Sequence, residues 1–173
     1  MDVVIVHHFG SKRALRTACD EHVAARIRAA KFATFADGPE LDPLAALRRT
    51  GEGVTELRYL ARTLGDGTPH VAALIDELVD DAVEYLAEGE RSGLVRPSER
   101  PRQRAVVLVL WSLGLLTLHE HVRRHLDADL VGDAGGLDNY LLPAAEVLCH
   151  GVLADGVYEQ MREAFGAGEV GDE

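Results

Sequence analysis

Residues 3–15 read VVIVHHFGSKRAL. A β-branched run leads to Phe9, Gly10 permits a tight turn, and Ser11 is a residue type that favours a helix N-cap. The stretch therefore predicts the end of one helix, a two-residue break, and the start of a second helix whose first turn holds Lys12 and Arg13.

Helical periodicity continues from Ser11 almost to the end of the chain. Apolar residues recur every three or four positions, and no segment shows the alternation typical of a strand. The predicted helices cover residues 12–35, 43–49, 54–64, 69–91, 102–126 and 140–165. The chain is therefore predicted to be all-α, with a glycine-rich loop at 130–139 and a disordered tail at 166–173.

Composition limits the classes of protein that the chain can belong to. With 173 residues and 47% hydrophobic content, it is long enough for one packed domain. Cys19 and Cys149 are too few and too far apart for a disulfide framework, which favours a reducing, cytoplasmic location. No leader signal is present, and the longest apolar stretch, 105–118, is too short to cross a bilayer.

Charge is distributed unevenly along the chain. The formal net charge of -11 argues against a nucleic-acid partner for the chain as a whole. Residues 1–31, however, hold six Lys or Arg and only three Asp or Glu. The N-terminal end is thus the one basic region of the sequence, either as a contact for an anion or as a solvated helix face.

No pattern of an enzyme or of a metal site was found. The sequence lacks a nucleophile elbow, a phosphate-binding glycine loop and a helix-borne Glu/His set, and we expect no cofactor. Glu77, Asp80 and Asp81 are predicted to lie on a solvated helix face. His121 and His125 share a face, but His119 lies about 200° around the helix from His121, so the three cannot ligate one ion.

Lys12 and Arg13 stand where cations oppose the helix dipole. A cation combined with free backbone N–H groups at a helix start is well suited to bind a phosphate group. The alternative is that both side chains point into water.

Residues 6–15, VHHFGSKRAL, resemble the end of the helix-turn-helix in the tetracycline-repressor (TetR) family of bacterial transcriptional regulators. The family pattern reads roughly T-x-Y-x-H-F-x-S/N-K-x-x-L. Five residues match it: His8, Phe9, Ser11, Lys12 and Leu15. Val4 stands at the Thr position and Val6 at the aromatic position.

The resemblance implies an operator-binding repressor that a small-molecule effector releases from DNA. It implies a helix-turn-helix remnant at 1–35 and a helical ligand-binding and dimerisation domain at 36–165. The expected DNA-binding residues are Val3, Val4, Val6, His7, His8 and Lys12. Val3, Val4 and His7 would face bases, His8 bases or backbone, and Lys12 a phosphate.

Set against the family, Met1 occupies the N-cap of the recognition helix, and the two preceding helices are absent. Two explanations are open: a start codon assigned too late, or a stand-alone ligand-binding and dimerisation module without DNA binding. The first is favoured, because the run at 3–6 would otherwise leave an apolar surface bare. Translation of the DNA upstream of Met1 distinguishes them.

The effector is expected to bind inside the bundle, among large or amphipathic side chains on inward helix faces. The candidate ligand-binding residues are Tyr59, Leu78, Tyr85, Trp111, Leu115 and His119. An aromatic content of only 5% argues against a pocket of stacked rings and favours an apolar effector. Each of these residues could equally be ordinary core.

A homodimer is expected through residues 102–126 and 140–165. The first of these predicted helices is apolar on nearly every side, so it must be covered on every side. The short helices of one chain cannot cover both long segments, and in the family the last two long helices pair with their copies.

Overall fold

The computed structural model describes residues 9–40, 42, 53–65, 69–132 and 135–166. In these ranges the regular structure is entirely helical, which confirms the predicted all-α class. The helices are α1 (Lys12–Ala36), α2 (Val54–Leu64), α3 (Pro69–Ser92), α4 (Pro101–Thr117), α5 (His119–Leu126), α6 (Leu137–His150) and α7 (Val157–Gly166), with a 3₁₀ turn at Gly38–Glu40. The predicted helix at 43–49 lies outside the described residues.

The start of α1 forms as its sequence predicts. Ser11 has an extended backbone, with φ of -157°, and its hydroxyl accepts a hydrogen bond from the Ala14 N–H at 3.0 Å. The N–H of Leu15 donates to the Ser11 carbonyl, also at 3.0 Å. This capping satisfies donors that the first turn of a helix leaves unpaired.

The far end of α1 closes against the end of α3. Gly38 has a φ of +63°, and a Cβ at this position would lie 2.9 Å from the Ser92 carbonyl oxygen. The Ser92 hydroxyl donates to the Phe35 carbonyl at 2.7 Å. Only glycine combines this backbone conformation with so close an approach, so the predicted break at 37–39 is confirmed.

The core lies among α1, α2, α3 and α4, with α3 packed against both α1 and α4. The predicted apolar stripe of α3 is confirmed, since its residues supply much of the buried cluster. The buried cluster comprises Val23, Ala24, Leu60, Leu74, Leu78, Val79, Ala82, Leu86, Ala105, Val109, Leu113 and Leu116.

The single helix predicted at 102–126 is wrong, because the chain bends by 77° between α4 and α5. Leu118 leaves the helical region, with φ of -100° and ψ of 21°, and its carbonyl accepts from the Val122 N–H at 3.1 Å. Gly114 has weak helix propensity, and the Thr117 hydroxyl donates back to the Leu113 carbonyl at 3.0 Å. Both features favour a bend, but the apolar periodicity continues through it and conceals it.

The C-terminal helical segment is divided where the glycines indicate. α6 ends at His150, Gly151 follows with a φ of +78°, and α7 begins after Gly156, whose φ is +87°. Within the described ranges no individual helix has the length and apolar character of a membrane span; α4 and α5 reach that level only when taken together across their bend.

Candidate functional site

In the lower half of α1, the half nearer Ser11, a short hydrogen bond inside the bundle joins the helix to α2. The Tyr59 hydroxyl donates a hydrogen bond to Oδ1 of Asp20 at 2.6 Å. Asp20 is only 5% exposed, although aspartate is rarely buried without partners. Burial, followed by the hydrogen bond to Asp20, raises the pKa of Tyr59 to about 12, so the phenol keeps its proton and remains a donor.

In the upper half of α1, the half nearer Ala36, ion pairs of one arginine hold the helix to α3. Arg28 forms hydrogen-bonded ion pairs with Asp81 and Glu84, and its guanidinium carbon lies 4.8 Å from the centre of the Phe32 ring. Asp81 is almost completely buried. The prediction that Asp81 lies on a solvated face is therefore wrong, because a cation supplied by α1 compensates its charge.

An aromatic group adjoins this ion pair. The rings of Phe35 and Tyr85 stack with centroids 5.0 Å apart, and Phe32 meets Tyr85 edge-on at 6.3 Å. Burial, and after it the charge of Asp81, raises the pKa of Tyr85 to about 12. The contacts join the ends of the two longest helices, so they fix the position of α1 relative to α3.

Carboxylates gather where α1 meets α3. Burial raises the pKa of Glu77, and the nearby charges of Asp81, Glu21 and Asp20 add to this effect. Periodicity alone did not find the group, because its members come from two helices and meet only in the folded chain. Glu77 and Asp80 both stay exposed as predicted, and Asp80 pairs with Arg102 at 2.8 Å.

The six predicted ligand-binding residues do not share one environment. Leu78 is in the core, and Tyr59 and Tyr85 pack against it. Leu115 and His119 are partly buried near the bend between α4 and α5. Trp111 is 59% exposed in the isolated chain, so the prediction that it faces inward is wrong. The ligand role of all six stays a prediction.

A shallow, open depression lies elsewhere, on the loop that joins α6 to α7. Residues 151–156 line it together with Tyr158 and Glu159. None of the six predicted ligand-binding residues belongs to this depression.

The N-terminal end of the described chain holds accessible cations. Lys12 and Arg13 are exposed in the first turn of α1. Val3, Val4, Val6, His7 and His8 lie outside the described residues. Their predicted roles at the bases, and that of Lys12 at a phosphate, stay predictions.

The histidines of α5 group around an arginine. The Arg124 guanidinium lies 3.1 Å from Nδ1 of His121 and 3.0 Å from Nε2 of His125. His119 points toward Glu120, with Nδ1 3.9 Å from a carboxylate oxygen. In the part of the chain that the structure describes, no three His, Cys, Asp or Glu side chains are close enough to hold a metal ion.

Apolar surface is exposed on α4, on α6 and along the segment that follows α6. Soluble monomers rarely expose so many large apolar side chains. The exposed large hydrophobic residues there are Val107, Leu110, Trp111, Leu118, Leu142, Val147, Leu148, Val152, Leu153, Tyr158, Met161 and Phe165.

The described helices form a bundle that follows a basic, capped helix start, which is the arrangement expected from the helix-turn-helix resemblance of residues 6–15. Residues 54–154 match the family model for the tetracyclin repressor-like C-terminal domain. The chain is 37% identical over 166 residues to the HTH-type transcriptional regulatory protein RaaS of Mycobacterium tuberculosis (strain ATCC 25618 / H37Rv), a match that covers 94% of this chain and 75% of the relative. The chain therefore belongs to the tetracycline-repressor family of bacterial transcriptional regulators.

Membership confirms the family that residues 6–15 indicated. Regulators of this family bind operator DNA and form dimers, and they are generally not enzymes.

Proposed function

We propose that this regulator couples the binding of a small molecule inside the bundle to its affinity for operator DNA. The observation that carries the proposal is the course of α1. Its exposed start holds Lys12, which belongs to the DNA-reading motif, and its middle is buried in the core through Val23 and Ala24. A displacement of the bundle is therefore transmitted to the DNA-reading end, provided that the effector binds two arrangements with different affinity.

The DNA contacts follow from the motif. Val3, Val4 and His7 are proposed to face bases in the major groove, Val6 takes the aromatic position of the motif, and His8 contacts bases or backbone. Lys12 and the first N–H groups of α1 are proposed to bind a phosphate, which positions the recognition helix without reading sequence. The dimer presents two such helices about 34 Å apart.

The effector is proposed to be apolar and to bind near α3. Leu78 is in the core, and Tyr59 and Tyr85 add hydroxyl groups that can orient a ligand. Leu115 and His119 belong to the proposed site from the side of α4 and α5, and Trp111 is retained as a candidate at its outer edge.

The homodimer is proposed to form through residues 102–126 and 140–165. Both segments contribute to the exposed apolar surface, and Trp111 and Leu148 are 59% and 63% exposed on α4 and α6. A second copy that presents the same surface removes it from water, as a two-fold interface requires. Operator binding places the protein in the bacterial cytoplasm.

The test measures binding of the full chain to a duplex from the region upstream of its own coding sequence, by fluorescence anisotropy at several salt concentrations. Lys12→Gln should weaken binding and reduce the slope of log Kd against log salt by about 1. Arg62→Gln removes the same charge at an exposed position of α2 and should leave both unchanged. Absence of DNA binding by an intact dimer, also when the chain is extended by the in-frame sequence translated upstream of Met1, would instead support a stand-alone ligand-binding and dimerisation module.

A further inference from the structure

α1 is held by different contacts in its two halves. Arg28 lies about 12 Å along the axis from Asp20, and its ion pairs with Asp81 and Glu84 hold the upper half to α3. The stack of Phe35 on Tyr85 reinforces the same end. The upper half is thus fixed by several contacts that act together.

The lower half packs on α3 through Val23 and Ala24 and is joined to α2 as well. Asp20 lies about 13 Å from Ser11, and its Oδ1 accepts the hydrogen bond from Tyr59 of α2 at 2.6 Å. The other polar contact described between these two helices, Arg26 with Glu56 at 3.2 Å, joins an arginine side chain that is 57% exposed to a glutamate side chain that is 14% exposed. Arg26 lies two residues from Arg28, so this contact acts at the upper half, and the Tyr59 hydrogen bond is the described polar contact with α2 that acts nearer Ser11.

The position of α2 links the hydrogen bond between Tyr59 and Asp20 to the proposed effector-binding domain. α2 begins at Val54, where the match to the family's C-terminal domain also begins, and it packs against α4. Tyr59 thus belongs to the proposed effector-binding part of the chain, whereas Asp20 belongs to the helix that leads back to the DNA-reading motif. The hydrogen bond crosses from one to the other inside the bundle.

We propose that Tyr59 is a positioning residue whose hydroxyl holds the Ser11 end of α1 against α2, so that the loss of this hydrogen bond frees that end while the Arg28 end stays fixed. The inference rests on the proposed function, because it names the contact through which an effector acts. A ligand group that takes the Tyr59 hydroxyl, or a shift of α2, deprives the buried carboxylate of Asp20 of this donor. α1 then tilts about its upper half.

The test compares two Tyr→Phe variants of the full chain by hydrogen–deuterium exchange with mass spectrometry. Tyr59→Phe removes the hydroxyl without opening a cavity, and exchange at residues 16–23 should accelerate at least tenfold while residues 29–36 keep their rate. Tyr85→Phe is the matched control, because the Tyr85 hydroxyl makes no hydrogen bond among the described residues. It should leave both segments unchanged.

Asp20 provides the rescue experiment. Asp20→Asn keeps an oxygen that can accept from Tyr59 and should preserve most of the protection at 16–23, whereas Asp20→Ala should reproduce the effect of Tyr59→Phe. Combining Asp20→Ala with Tyr59→Phe should add little, because both changes remove the same contact.

Two results would overturn the proposal: equal exchange in the Tyr59→Phe and Tyr85→Phe variants, or equal acceleration in both halves of α1, which is what a purely structural role produces. The test requires neither DNA nor effector. Failure of the proposed function would appear separately, as operator affinity that no small molecule changes while the exchange difference persists.

Discussion

Arg28 and Asp81 join the two longest described helices of the chain through an ion pair that is partly shielded from water. The arginine also pairs with Glu84 and lies over Phe32, so one side chain of α1 organises a turn of α3 and an aromatic neighbour. Asp81 would lose its compensating charge if the arginine were removed. A buried charge without its partner is costly, whereas an exposed pair contributes little.

Arg28→Gln should lower the free energy of unfolding by more than Arg102→Gln does, since the buried carboxylate of Asp81 loses an ionic partner. Urea unfolding monitored by circular dichroism measures the change. Arg102→Gln is the matched control, because its pair with Asp80 is exposed on both sides and should be worth less than about 0.5 kcal/mol. Equal losses in the two variants would contradict the assigned role of Arg28.

Sequence periodicity predicted the positions of the helices better than it predicted the side-chain contacts between them. The stripe of α3 and the cap at Ser11 depend on local spacing and residue type, and both were correct. The burial of Asp81 was missed because a cation 53 positions earlier in the chain supplies the reason for it. The bend at Leu118 was missed because apolar residues continue on both sides of it.

The candidate site was only partly predictable for a related reason. Large apolar residues on a helix look alike from the sequence whether they face the core, a ligand or a second subunit. Leu78 and Trp111 were assigned to one pocket, yet the first is buried and the second is exposed. The hydrogen bond from Tyr59 to Asp20 joins residues on separate helices, and no local sequence pattern predicts it.

Alkaline pH should destabilise the protein through Tyr85. Its pKa in the folded chain is about 12, whereas an ordinary tyrosine titrates near about 10, so the unfolded chain loses this proton first. The free energy of unfolding should be fully maintained below about pH 10 and should fall as the pH rises toward about 12. Tyr85→Phe should reduce this fall by about 1–2 kcal/mol, as measured by urea unfolding at pH 9 and pH 11. Phe35→Leu leaves the Tyr85 phenol in place and should keep the pH dependence of the unmodified chain. If the free energy of unfolding of Tyr85→Phe fell with pH as much as that of the unmodified chain, Tyr85 would not be the group responsible.

Two glycines should respond in opposite ways to replacement by alanine. Gly114 lies inside α4 with open space where a Cβ would be, so Gly114→Ala should raise the free energy of unfolding by about 0.5–1 kcal/mol. Gly136 has a φ of +66°, and a Cβ there would meet the Asp127 carbonyl oxygen. Gly136→Ala should therefore lower stability by more than about 1 kcal/mol. Thermal and urea unfolding of the two variants test the pair, and a loss of stability in both would show that the bend after α4 needs Gly114 itself.

Dimerisation should depend on the exposed face of α4. Trp111→Glu places a charge where a 59% exposed indole is proposed to meet a second copy, and it should raise the dimer dissociation constant at least a hundredfold, which corresponds to about 2.7 kcal/mol. Sedimentation and light scattering at micromolar concentration measure this shift. Ala73→Asp adds the same charge at an exposed position of α3 and should leave the dimer intact. If the unmodified chain were a monomer at these concentrations, the proposed interface would be wrong. If the Trp111→Glu variant formed a dimer as tight as that of the Ala73→Asp variant, α4 would lie outside the interface. The exposed residues of α6 and α7 would then have to form it.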